Sequence, residues 1–147
     1  MPVIDTLSAD LKEALKARNE IKLSTLRLIK ASLKNKEIEN MSVLTHDEIV
    51  AVLSTMAKQR RESIEQYTAA GRLELASREE QELSIIQSYL PKQLAPEELD
   101  AVIRTVILES GATSTNDMGK VMKALVPKVK GIADGKLVNQ RVRDLLQ

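Results

Sequence analysis

Residues 89–96 of this 147-residue chain read YLPKQLAP, and this segment decides how the rest of the chain is divided. Pro91 and Pro96 cannot both lie inside one continuous helix, because proline has no amide hydrogen and disfavours helical backbone in the residue before it. The segment therefore predicts a linker between two domains. We place an N-terminal domain at residues 1–91 and a C-terminal domain at residues 92–147.

Four amphipathic helices are predicted before the linker, because apolar residues recur there at helical spacing. Leu7, Leu11 and Leu15 form the apolar stripe of the first helix. A break at residues 18–19 separates it from a second helix over about residues 20–39, whose stripe contains Leu26, Ile29 and Leu33. This half of the chain is therefore predicted to consist of long packed helices.

The third and fourth helices have clearer boundary signals. Thr45 and Glu48 have the Thr-x-x-Glu spacing of a capping box, in which each side chain binds the backbone amide of the other residue. Gly71 is a natural end for this helix, because glycine readily adopts a left-handed backbone. The fourth helix spans about residues 73–90, and its acidic middle (Glu79, Glu80 and Glu82) is predicted to be a solvated surface.

Three further helices are predicted after the linker. The first begins at Pro96, because proline suits the first position of a helix. Ser114 or Thr115 begins the next, and Asp134 begins the last, which its side chain is predicted to cap. The last helix should bury Leu137 or Val138, Val142 and Leu145. The fold class is therefore all-α: an N-terminal helical domain of long amphipathic helices plus a small C-terminal three-helix domain.

The composition excludes several kinds of chemistry. Without cysteine the chain cannot form a disulfide framework, a zinc-thiolate site or a thiol nucleophile. Its one histidine, His46, falls inside the predicted capping box and is interpreted as a surface residue. We therefore expect no catalytic residue, no metal site and no cofactor. The short apolar runs and the absence of a signal peptide predict no membrane association and a cytoplasmic location.

The charge balance conceals two basic blocks. The chain has 22 Lys and Arg residues against 21 Asp and Glu residues. Basic residues nevertheless dominate residues 12–36 and residues 118–143, while the stretch 74–100 is acidic. In the first block Arg27, Lys30 and Lys34 follow the spacing i, i+3, i+7. Clustered positive charge favours a phosphate-bearing partner, but a solvated helix face beside a core has the same pattern.

The second block contains the most informative stretch, residues 116–131, which reads NDMGKVMKALVPKVKG. If the helix continues through Pro127, then Lys120, Lys123 and Lys130 lie opposite its apolar stripe, with Lys128 beside them. Such a row of lysines could neutralise successive phosphates, or it could simply be the solvated side of an amphipathic helix. The spacing alone leaves both interpretations open.

Several segments together resemble the YqeY family of small bacterial proteins over essentially the whole chain. These segments are RLIK at 27–30, KNKEIE at 34–39, QRRESI at 59–64, YLPKQL at 89–94, DMGKVM at 117–122, KVKG at 128–131 and ADGKLV at 133–138. The C-terminal part is also similar to the tail domain of the B subunit of glutamine-dependent aspartyl/glutamyl-tRNA amidotransferase (GatB). The resemblance implies an all-helical protein whose C-terminal domain is associated with tRNA recognition.

The resemblance and the basic blocks together provide the candidate residues. The resemblance implies that Lys120, Lys123, Lys128, Lys130 and Lys136 contact tRNA. The basic blocks add Arg141, Arg143, Arg27, Lys30 and Lys34 as candidate RNA-binding residues. The residues expected to shape the motif are Asp117, Gly119, Pro127, Gly131, Asp134 and Gly135.

Three functions are compatible with the sequence. The first is a non-catalytic accessory module that binds tRNA or tRNA-like RNA by backbone and shape, without specificity for a DNA sequence. The second, implied by the family, is a part in tRNA-dependent amidation, a carbon–nitrogen ligase reaction with glutamine as amido donor, in which partner subunits supply the catalytic domains. The third is a protein–protein adaptor whose helical faces pack on an aminoacyl-tRNA synthetase or on a second copy of the chain. An amidotransferase subunit is a further candidate partner.

Overall fold

The computed structural model describes residues 3–147, and these residues form helices without any β-strand. The all-α prediction is therefore confirmed. Seven α-helices follow one another, with a short 3-10 turn at Thr115–Asp117 before the sixth. The helices are α1 (Val3–Lys16), α2 (Glu20–Asn40), α3 (His46–Ala69), α4 (Leu73–Gln87), α5 (Pro96–Ser110), α6 (Met118–Val129) and α7 (Gly135–Leu146).

The helix boundaries follow from local chemistry. Arg18 has a left-handed φ of 55°, and the Asn19 side chain accepts a hydrogen bond from the Lys22 amide at 3.1 Å, so the chain turns between α1 and α2. At the start of α3 the Glu48 amide donates to Thr45 Oγ1 at 3.2 Å, and the Thr45 amide donates to Glu48 at 3.0 Å. The predicted capping box is therefore confirmed. Its hydrogen bonds lower the pKa of Glu48.

The chain forms two compact units, the first ending at Leu90 and the second beginning at Pro91. Each unit has its own aliphatic core. In the first unit the fully buried side chains come from α1 to α4 and include Leu7, Leu26, Ile29, Leu53 and Ile86. In the second unit they come from α5 to α7 and include Leu99, Ile103, Val121, Leu125, Val138 and Val142.

Two residues of the predicted apolar stripes, Leu15 and Leu145, and one helix boundary differ from the structure. Leu15 is 60% exposed and Ala14 is buried instead, because a spacing of four residues drifts away from the 3.6-residue turn of the helix. In α7 the predicted Val142 and, of the two alternatives, Val138 are buried, but Leu146 is buried where the sequence predicts Leu145, and Leu145 is only partly buried. Helix α4 ends at Gln87, three residues before the predicted Leu90, and a turn joins it to Pro91.

The predicted solvated acidic surface on α4 is also wrong in part. Glu82 is only 8% exposed, and its carboxylate lies 3.2 Å from the Nε atom of Arg60 on α3. Glu79 lies 3.6 Å from the same atom, while Glu80 is exposed. Burial, and then the charge of Glu82, raise the pKa of Glu79. The close packing of α3 on α4 therefore places an arginine between two carboxylates, which helical spacing within α4 could not predict.

A side-chain hydrogen bond connects the two ends of the first unit. The hydroxyl of Tyr89 donates to the carboxylate of Asp10 on α1. Burial and this hydrogen bond raise the pKa of Tyr89. The turn after α4 is therefore attached to the first helix.

Candidate RNA-binding surface

Helix α6 separates its apolar and basic residues. Val121, Leu125 and Val129 are buried in the core of the second unit, whereas Lys120 and Lys123 are exposed. The helix continues through Pro127 to Val129, as the predicted row of lysines requires. It contains three lysines and no acidic residue. The exposed lysines of α6 therefore have no acidic residue on their own helix.

The start of α6 is held by Asp117. The amide of Thr113 donates to the Asp117 carboxylate at 2.9 Å, and the Thr113 hydroxyl does so at 3.4 Å. The hydrogen bond from the Thr113 backbone, with a smaller effect from the charge of Lys120, lowers the pKa of Asp117. Asp117 therefore fastens the turn before the helix, which gives a physical basis to its expected shaping role.

Lys130 does not continue the row of lysines as the sequence predicted. The helix ends at Val129, and Lys130 has φ −57° and ψ 123°, outside the helical region. Gly131 follows with φ 80°, a conformation that side chains other than glycine rarely adopt. Lys130 is therefore exposed on a turn rather than on the helix face.

This turn is bonded to the segment that opens the second unit. The side-chain amide of Gln93 donates to the carbonyl oxygens of Gly131 at 2.9 Å and Pro91 at 2.8 Å. The Leu94 amide donates to the Ile132 carbonyl at 2.8 Å. Gln93 and Gly131 are 38 residues apart in the sequence, so this hydrogen bond brings the segments YLPKQL and KVKG into contact. Sequence reasoning treated the first as a linker and missed this structural role.

The remaining predicted residues of this unit have different surroundings. Lys128 lies 3.5 Å from Glu109 on α5, and both side chains are exposed. Lys136 lies exposed in the first turn of α7 and Arg143 in its last turn. Asp134 occupies the N-cap position, but its side chain makes no capping hydrogen bond to the helix, so the predicted cap is wrong.

Arg141 forms a bidentate ion pair with Asp100. Its Nε and a terminal nitrogen donate to the carboxylate of Asp100 on α5 at 2.9 and 2.8 Å, and its other terminal nitrogen lies 3.3 Å from Asp144. The hydrogen bond from Arg141 lowers the pKa of Asp100, and the pair raises that of Arg141. The guanidinium of Arg141 thus joins α7 to α5.

The glycines expected to shape the motif fall into two groups. Gly131 needs its glycine because its φ is positive. Gly119 and Gly135 do not have a positive φ, and a Cβ atom added at either position would meet no atom within 4 Å. Packing inside the described chain therefore does not explain Gly119 or Gly135.

Arg27, Lys30 and Lys34 lie on α2, in the first unit, where all three side chains are exposed. They border an apolar groove between α1 and α2. Among residues 3–147 no three His, Cys, Asp or Glu side chains are grouped as a metal site would require. In the same residues no helix is long and apolar enough to span a membrane.

Comparison with known proteins settles the family. A family model described as "Yqey-like protein" matches residues 4–146. The chain belongs to the YqeY-like family. The predicted resemblance is therefore confirmed, and the match includes both compact units.

Several similar curated proteins from fungi carry the name "Altered inheritance of mitochondria protein 41, mitochondrial". The protein of Vanderwaltozyma polyspora is 37% identical over 66% of this chain and 54% of its own length. That of Pyrenophora tritici-repentis is 27% identical over 98% of this chain and 81% of its own length. That of Eremothecium gossypii is 38% identical over 57% of this chain and 46% of its own length. The chain thus spans about half the length of two of these three relatives.

Proposed function

We propose that the second unit binds the backbone of tRNA or tRNA-like RNA through the lysines of α6, as a non-catalytic accessory module. One observation carries the proposal. Lys120 and Lys123 lie exposed on a helix without acidic residues, and neither forms an ion pair within the described part of the chain. Lysines that are not neutralised by carboxylates can release counterions from phosphates, which is the main source of affinity for nucleic acids.

The composition supports recognition of the RNA backbone. The chain has two tyrosines and neither Phe nor Trp, so it lacks the aromatic platforms on which splayed bases stack. Lys128, Lys130, Lys136 and Arg143 are exposed and extend the proposed contact surface. We leave Arg141 out of it, because its side chain is only 33% exposed and binds Asp100 through two short hydrogen bonds, whereas Lys128 stays 50% exposed beside Glu109.

The similarity of the second unit to the GatB tail domain suggests the setting in which it acts. We propose that the module presents tRNA to a tRNA-dependent amidation system whose other subunits supply the carbon–nitrogen ligase chemistry. The sequence predicts a cytoplasmic location, whereas the fungal relatives carry "mitochondrial" in their names. We therefore propose that the protein is located in the same compartment as the tRNA amidation system that it assists.

Titration of fluorescently labelled total tRNA, followed by anisotropy at several salt concentrations, tests RNA binding. The affinity should fall steeply with salt, and neutralising Lys120 or Lys123 with glutamine should reduce the slope by about one for each lysine. The double change Lys120→Glu plus Lys123→Glu should weaken binding by about tenfold or more, because it reverses charge beside the phosphates.

A matched control carries the same change of charge elsewhere. Lys12→Glu plus Lys16→Glu alters two exposed lysines of α1 and should leave tRNA affinity nearly unchanged. Circular dichroism checks that all variants remain helical. Absence of binding at low salt, or an equal loss in both double variants, would show that α6 is not the RNA-binding surface.

A separate experiment tests the link to amidation. Glutamine, ATP and misacylated tRNA are mixed with amidotransferase subunits, with and without the chain, and the amidated aminoacyl-tRNA is measured. The chain should change the rate only in the presence of the partner subunits. An unchanged rate would remove the amidation setting while leaving the RNA-binding proposal intact.

A further inference from the structure

A groove of about 560 Å³ opens in the first unit beside α1 and α2. Its apolar lining includes Ile4 and Leu7 from α1 and Ala31 and Leu33 from α2. Leu7 and Leu33 are also part of the buried core, so they form its floor, whereas Ile4 and Ala31 are exposed. The groove therefore presents aliphatic surface that the described residues leave uncovered.

Three cations line the same groove. Arg27, Lys30 and Lys34 are exposed residues of α2, so they follow the direction of that helix. From Arg27 to Lys34 the row extends about 10 Å, at a rise of about 1.5 Å per residue. Arg27 and Lys30 make no ion pair among residues 3–147, while Lys34 lies 3.8 Å from Glu37. Positive charge and apolar surface thus run side by side.

We propose that this groove binds an acidic amphipathic helix of a partner protein. The apolar face of such a helix would cover the aliphatic floor, which is how amphipathic helices dock in grooves. Carboxylates at its positions i and i+3 or i+4 repeat at the spacing of Arg27 and Lys30 on α2, so one helix can face both cations that form no ion pair among residues 3–147. This interaction is separate from the proposed RNA binding, because it uses residues of the first unit.

The arrangement of cations beside aliphatic side chains favours an acidic helix over other anionic ligands. A single-headed amphiphile has one charged group and would use one cation, whereas the groove offers both Arg27 and Lys30, with Lys34 beside them already paired with Glu37. An RNA backbone could contact the row, but its phosphates would gain nothing from the aliphatic floor, and the groove has no aromatic lining for bases. An acidic helix makes use of both features.

Glu37 also makes the two ends of the groove differ in charge. It lies at the end of the groove beyond Lys34 and forms an ion pair with it. A partner carboxylate at that end would be repelled, and a partner lysine or arginine would be attracted. The acidic residues of the partner should therefore face Arg27 and Lys30.

Binding of designed peptides tests the proposal. The probe is a fluorescent peptide of about 16 residues, which forms a helix of about 24 Å, with leucines on one face and glutamates beside them. Its first control replaces every glutamate with lysine, and its second is a scrambled sequence of the same composition. Anisotropy titration of the full chain should show binding of the acidic peptide at least about tenfold tighter than of either control.

Changes in the chain separate the contribution of charge from that of apolar contact. Arg27→Glu plus Lys30→Glu should abolish the preference for the acidic peptide and favour the basic one. Ala31→Gln places a polar amide in the groove without changing charge, and it should weaken binding of the acidic peptide severalfold. The control Lys12→Glu plus Lys16→Glu should leave peptide binding unchanged.

Several results would overturn the proposal. Equal affinity for the acidic and basic peptides, or for the acidic and scrambled peptides, would contradict it. So would retention of acidic-peptide binding by the Arg27 and Lys30 double variant. If that variant instead loses tRNA affinity as strongly as the Lys120 and Lys123 double variant, the row belongs to an RNA surface. Because the two double variants lie in different units, failure of one proposal is distinguishable from failure of the other.

Discussion

Each unit contains an arginine that joins two helices. The two arginines differ in their exposure and in the geometry with which they contact their carboxylates. In the first unit the Arg60 side chain is 15% exposed, and its buried Nε makes no hydrogen bond of good geometry within the described residues. It nevertheless lies between Glu79 and Glu82. In the second unit the Arg141 side chain is 33% exposed and binds Asp100 through two short hydrogen bonds.

This difference changes what each arginine does for its unit. Glu82 and the partly buried Glu79 have the Arg60 guanidinium as their nearest counter-charge, and Arg78 also acts on Glu79; unpaired charge in such surroundings is costly. Arg141 instead joins α7 to α5 at the surface, where water can solvate Asp100 if the arginine is removed. The first unit thus places an ion-paired arginine between two packed helices, whereas the arginine pair of the second unit is more exposed to water.

The first prediction concerns whether the two cores support their units separately. Leu125→Ala removes a fully buried side chain of the second core and should lower the free energy of unfolding of that unit by about 2–5 kcal/mol. Leu26→Ala is the matched change in the first core. Hydrogen exchange should show lost protection mainly in the unit that carries the change. Equal loss in both units would contradict two separately stabilised cores.

The second prediction tests Arg60. Arg60→Met should lower the free energy of unfolding by about 3 kcal/mol at neutral pH, because Glu79 and Glu82 lose their counter-charge. Urea unfolding followed by circular dichroism measures the change. Adding Glu82→Gln to Arg60→Met should recover a large part of the loss. A loss well under 1 kcal/mol would mean that water already solvates this site.

These cases also show what the sequence could and could not predict. The break at Asn19, the capping box at Thr45 and the start at Pro96 depend on nearest neighbours, and the structure confirms them. The pairing of Glu82 with Arg60 depends on how α3 packs on α4, which spacing within one helix does not contain. For the same reason the sequence identified the basic rows but not the apolar groove beside one of them.

The third prediction uses pH to test the Arg141 pair. The hydrogen bond from Arg141 lowers the pKa of Asp100 below its ordinary value of 3.8, so the unfolded chain takes up this proton first as the pH falls. The stabilisation by the pair is therefore complete above that value and is lost as the pH falls through the folded pKa. Arg141→Met should lower the melting temperature at neutral pH, and the difference from the unchanged chain should shrink in acid.

Thermal unfolding followed at about pH 7, 5, 4 and 3 provides the measurement. Asp100→Asn is the matched control, because it removes the titrating group while retaining the shape of the side chain. A difference between the Arg141 variant and the unchanged chain that stays constant down to about pH 3 would contradict this account. Arg141 would then stabilise the second unit through packing and not through its charge.

The smallest predicted effects distinguish the two kinds of glycine in the second unit. Gly131→Ala should destabilise the fold by about 1 kcal/mol, because alanine is strained at a φ of 80°. Gly119→Ala should be neutral or stabilise it by up to about 1 kcal/mol, since alanine is the better helix former and its Cβ would meet no atom within 4 Å. If RNA approaches the backbone beside Lys120, the same Gly119→Ala change should weaken tRNA binding without loss of stability. Unchanged tRNA affinity would show that no close contact forms at Gly119, and the lysine side chains alone would then define the proposed RNA-binding surface.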